Sequence, residues 1–163
     1  MHALTEKQLR AAFVNASQRE RTVMTLPSAW ADLDWDDLDY LGWRDAKLAG
    51  VGYLVVELDG EAVGIQLRRG ESRPRTRAQC SWCEDVTLPN DVVFYAARRA
   101  GKSGRNGNTV GTLVCEGFEC QVNARRTPPP AYLGYDVEAA RQRRIETMRL
   151  NVANFVRDVR DSD

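Results

Sequence analysis

The sequence predicts an α+β fold, with a helical segment first, a small antiparallel sheet in the middle and a long helix last. Three observations carry that reading. Thr5 and Gln8 form a helix-capping pattern, Asp59-Gly60 separates two apolar stretches as a tight turn separates strands, and apolar residues recur at helical spacing from Ile145 to Val159. At 163 residues the chain can bury a modest core without obligatory disulfides. Residues 1–49 are read as a helical N-terminal segment and 50–163 as an α/β region, together one compact unit.

The first helix is expected to start after Thr5, with Leu4 and Leu9 placed as a hydrophobic staple. Leu9, Ala12, Phe13 and Ala16 continue its apolar stripe, and Pro27 limits the element, which is expected to end near Met24. Between Ser28 and Ala49, Trp30, Leu33, Leu38 and Leu41 suit a short helix or helical turns. The aspartates among them suit caps, turns and a solvated face, and are assigned no chemistry.

Tyr53–Leu58 and Ala62–Leu67 read as a hairpin, with Leu54, Val56 and Leu58 sharing its core side with Val63, Ile65 and Leu67. A second hairpin is expected from Asp91–Ala97 and Thr112–Val114. Gly101, Gly104, Gly107 and Gly111 give it a long mobile tip that projects basic residues. Their spacing matches no phosphate-binding loop. Pro128-Pro129-Pro130 precedes the final helix, whose apolar positions are Ile145, Met148, Val152, Phe155, Val156 and Val159. Arg141, Arg143, Arg144 and Arg149 lie in its first half, where the helix dipole does not favour cations, so a binding face is expected there.

Composition excludes two broad classes. With 43% hydrophobic and 28% charged residues, neither disorder nor a membrane protein is indicated. No stretch approaches the roughly 20 apolar residues that span a bilayer. The opening Met1-His2-Ala3-Leu4-Thr5-Glu6-Lys7 lacks the pattern of a signal peptide. A cytoplasmic protein with no membrane partner is therefore expected. The formal net charge is zero, but the charges are segregated. Asp34, Asp36, Asp37 and Asp39 precede the sheet, whereas Arg68, Arg69, Arg73, Arg75, Arg77, Arg98, Arg99, Lys102 and Arg105 flank the cysteines. Such a basic region attracts RNA, ribosomes or acidic protein surfaces.

The four cysteines carry the strongest signal. Cys80/Cys83 and Cys115/Cys120 form two close pairs joined by the second hairpin. Two-residue spacing points both thiolates of a turn at one tetrahedral centre, and a second pair completes four sulfurs at about 2.3 Å from a zinc ion. A disulfide framework is disfavoured in the cytoplasm, a thioredoxin-like dithiol lacks its βαβ context, and iron–sulfur proteins use other spacings. Four thiolates close the site, so one structural zinc is expected rather than a catalytic one. His2, the only histidine, is a bystander in this reading. No nucleophile or acid/base set can be assembled around Ser81 or the aspartates, and no enzyme activity is expected.

Leu38-Asp39-Tyr40-Leu41-Gly42-Trp43, Cys80-Ser81-Trp82-Cys83, Val110-Gly111-Thr112-Leu113-Val114-Cys115 and Cys115-Glu116-Gly117-Phe118-Glu119-Cys120 together resemble the FBP family. Its treble-clef zinc finger is shared with FusB-type fusidic-acid resistance proteins that bind elongation factor G. The resemblance implies a treble-clef-like finger over residues 80–120 that docks on elongation factor G and promotes its release from stalled ribosomes. The alternative function is RNA or ribosome binding. By position, Trp82, Arg99, Lys102, Arg105 and Phe118 are the expected contact residues; a ring held between two ligands, as Trp82 is, has limited room for burial.

Overall fold

The computed structural model describes residues 1–71, 78–85, 87 and 89–161; Arg73, Arg75 and Arg77 of the expected basic region lie outside them. A five-stranded antiparallel sheet runs in the order β1 (Tyr40–Arg44), β2 (Val51–Leu58), β3 (Glu61–Arg69), β4 (Val92–Arg98) and β5 (Thr109–Cys115). Around it lie α1 (Glu6–Ala12), α2 (Gln18–Val23), a 3-10 turn at Trp30–Asp32, α3 (Gly101–Arg105), α4 (Cys120–Ala124) and α5 (Val137–Arg160).

The β2–β3 hairpin forms as expected, with Leu54 opposite Ile65 and Val56 opposite Val63. Asp59 and Gly60 adopt φ of 54° and 83°, the left-handed turn that matches the twist of a two-residue hairpin. Both faces of this hairpin are buried. Leu54, Val56, Ile65 and Leu67 meet Met148, Val152, Phe155 and Val156 of α5, while Val51, Tyr53 and Val55 meet Leu9, Phe13, Leu41 and Trp43. The sheet is thus a middle layer between the N-terminal segment and α5.

The single helix expected over residues 6–24 is two helices. Thr5 caps α1 with the expected reciprocal bonds to Gln8, and Ser17 caps α2 with the same pattern to Glu20. Between them the backbone is spent on the sheet: Phe13 bridges Gly64, and the Val14 N–H donates to the Gly64 carbonyl at 2.9 Å. Buried Asn15 donates to the carbonyls of Gln66 and Arg98 and accepts from the Gln66 N–H, so its amide fills the gap where β3 and β4 diverge.

The helical reading of residues 1–49 is corrected in a second place. Tyr40–Arg44, containing Leu41, is strand β1, with Leu41 opposite Val55 and Trp43 opposite Tyr53. Nor are all the aspartates solvated. The Asp39 side chain, 5% exposed, is held between Arg125 and Arg149, and buried Asp45 lies beneath the loop to β2. The tip between β4 and β5 is the short helix α3, and the Ala100 N–H donates to the Val159 carbonyl at the end of α5. All six expected apolar positions of α5 are buried, and Asp136 caps its start. No helix among the described residues is long and apolar enough to cross a membrane.

Candidate metal centre

Two turns deliver the cysteines. In the first, the Ser81 N–H donates to the Leu113 carbonyl on β5 at 2.7 Å, and the Glu84 N–H returns to the Cys80 carbonyl at 2.9 Å. Glu84 itself takes a left-handed φ of 54°. In the second, Cys115 ends β5, the Phe118 N–H donates to the Cys115 carbonyl at 2.9 Å, and Cys120 opens α4. Phe118 sits at φ 64°, an unfavourable region for a bulky residue. Its ring and carbonyl offset that cost. The ring stacks on Trp82 and lies 5.2 Å from Tyr95, centroid to centroid, and the buried Tyr40 hydroxyl donates to the carbonyl at 2.7 Å.

All four sulfurs lie within 4.8 Å of one another and are buried. Cys80 and Cys120 are 3.5 Å apart and Cys83 and Cys115 3.8 Å, far beyond a disulfide bond. A tetrahedron with zinc–sulfur distances of about 2.3 Å has sulfur–sulfur edges of about 3.8 Å, so the set fits one zinc ion. The electrostatics agree. Hydrogen bonds from Cys115 and then Cys120 pull the Cys80 thiol far below its ordinary value, while Cys115, Cys80, Cys83 and burial push Cys120 well above its own. Burial disfavours the charged form of each of the four thiols. A divalent cation lets all four sulfurs ionise. Cys80, Cys83, Cys115 and Cys120 are the only such donor group among the described residues, and His2 lies elsewhere, against Glu57 on the surface.

The expected contact residues divide. Trp82 is 1% exposed and Phe118 3%, which corrects their reading as surface contacts. The turn holding Trp82 aims its ring inward, against Phe118, Tyr40 and Phe155, instead of leaving it at the rim. Arg99 is half-buried and donates to the Asp158 carbonyl at 2.7 Å. Lys102 and Arg105 are exposed on α3. The binding face expected on α5 is largely neutralised: Arg141 pairs with Glu138, Arg144 with Asp85 and Arg149 with Asp39. Sequence reasoning missed Tyr40 and Asn123, whose polar groups lie at the cluster. Only Asn123 carried a local signal, one helical turn after Cys120.

The family model for the FBP C-terminal treble-clef zinc-finger matches residues 8–159, nearly the whole chain, including both cysteine pairs. The chain belongs to the FBP family. Its fold is also that of a solved structure, the fusidic acid resistance protein FusC, at 16% identity and a TM-score of 0.58. That match covers 98% of this chain and 60% of FusC, so the FBP chain spans less than two thirds of its structural neighbour. No curated protein matches the chain.

Proposed function

We propose that this FBP-family chain is a zinc-dependent adaptor that binds translation elongation factor G in the cytoplasm and promotes its release from stalled ribosomes. The carrying observation is the family match over residues 8–159, centred on a buried four-sulfur site that fits zinc. FusC, whose fold the chain shares, is a fusidic acid resistance protein, so resistance to that drug belongs to the same proposal. A closed sulfur set leaves no coordination position for water, which supports a binding role over an enzymatic one.

Six arginines among the described residues share three carboxylates. Arg68 and Arg98 share Glu20, Arg69 and Arg44 share Glu116, and Arg125 and Arg149 share Asp39. Each carboxylate serves two guanidiniums, so every set keeps a net positive charge, and the Arg44, Arg68 and Arg149 side chains remain more than half exposed. Binding that falls steeply with salt and persists on protein-free RNA would instead mark the nucleic-acid reading.

The direct test is a pull-down of purified elongation factor G by the zinc-loaded chain. Complex formation at micromolar protein is expected, with loss on Lys102→Glu/Arg105→Glu if α3 belongs to the contact. No complex at that concentration would remove the proposal.

A further inference from the structure

The four sulfurs do not exhaust the metal centre. Asn123 lies on α4 one turn beyond Cys120, 1% exposed, and its side-chain nitrogen is 3.5 Å from the Cys115 sulfur. The same nitrogen donates to Asn90 Oδ1 at 2.9 Å. An amide nitrogen carries two hydrogens, and here each faces an acceptor. Asn90 is itself oriented, because its own nitrogen donates to the Asp91 carbonyl at 3.1 Å. Asp91 in turn accepts the Glu116 N–H beside Cys115. The start of β4, the end of β5 and α4 therefore meet around one buried donor.

We infer that Asn123 is a positioning residue of the zinc centre, donating an N–H···S hydrogen bond to the Cys115 thiolate and held to that task by Asn90. A zinc ion with four thiolates carries a net charge of −2, and burial removes the water that would otherwise solvate it. A buried donor aimed at one sulfur draws charge from it and fixes its direction toward the metal. Among the described residues, Asn123 is the side-chain amide bonded to a ligand sulfur, and its i+3 place relative to Cys120 lets one helical turn supply both a ligand and a donor. The inference concerns the metal centre alone and stands apart from the identity of any partner.

The test compares wild type, Asn123→Leu, Asn123→Asp and Asn90→Ala as full-length proteins. Zinc affinity is measured by chelator competition, and the sulfur-to-metal charge-transfer band is recorded after cobalt substitution. Asn123→Leu is expected to weaken zinc binding on the order of 10-fold and to move the cobalt band to lower energy, because the thiolate becomes a stronger electron donor. Asn123→Asp keeps the shape but sets a carboxylate against the anionic cluster, so it is expected to lose more than the leucine variant. A residue that merely filled space would show the reverse order. Asn90→Ala, at a half-buried position, is expected to shift the band in the same direction by less, which keeps the test open if both Asn123 variants fold poorly. Affinity within twofold of wild type and an unmoved band in the folded variants would overturn the inference.

Discussion

Asp45 shows how one side chain can hold a loop. It is 8% exposed, and burial alone would raise its pKa. The N–H groups of Lys47, Leu48 and Thr25 and the Tyr53 hydroxyl outweigh that cost, at 2.8 to 3.2 Å, and hold the carboxyl down at about 2. Because the folded value lies below the unfolded one, the stability is present above pH 4 and lost as pH falls from about 4 to about 2. Asp45→Asn is expected to cost about 2 kcal/mol in urea unfolding at pH 7, and the gap from wild type should close over that acid window. Asp39 obeys the same balance: burial opposes its charge, and Arg125 and Arg149 more than compensate. Neither role was legible locally, since both aspartates sit in an acidic run whose simplest reading is solvated. What distinguishes them is contact with distant donors: Tyr53 across a turn, Arg125 and Arg149 from the far end of the chain.

At the scale of elements, the finger and the sheet share one aromatic wedge. Phe118 projects from the second cysteine turn onto β1 and β2, where Gly42 and Gly52 leave room for it; a Cβ at either position would fall 2.7 Å from the Phe118 side chain. Gly52→Ala is expected to displace that ring and cost about 1–3 kcal/mol in thermal or urea unfolding, with weaker zinc retention as the turn shifts. Cys83→Ser should lose stoichiometric zinc, and hydrogen exchange should rise over residues 80–120 and much less in the β2–β3 hairpin. The hairpin, the Thr5 cap, the paired cysteines and α5 were legible because each is written in a short stretch: a turn dipeptide, a capping box, a spacing, a period. β1 was not. Tyr40-Leu41-Gly42-Trp43 has no strand alternation of its own, and it becomes a strand only by pairing with β2. The break between α1 and α2 has the same origin, because residues 13–15 exchange helix bonds for bonds to β3 and β4. Trp82 was misread for a related reason. Its pocket is assembled from Tyr40, Phe118 and Phe155, and nothing between Cys80 and Cys83 announces them.

For the whole molecule, the consequence is mechanical coupling. The N-terminal segment, the sheet, the cysteine turns and α5 are tied by apolar packing on both sheet faces and by Asp39, which joins β1 to α4 and α5. A structural zinc site can contribute on the order of 10 kcal/mol of apparent binding free energy, comparable with the stability of a small domain. Metal loss should therefore be felt by any surface that docks on a partner, and under the proposed function Cys83→Ser should lose elongation factor G binding together with zinc. Zinc K-edge X-ray absorption on the reduced, purified chain tests the centre of this account most directly. One zinc per chain with a single shell of four sulfurs at about 2.3 Å is the expected result. A metal-free protein, or a shell containing nitrogen or oxygen in place of any of the four sulfurs, would contradict it.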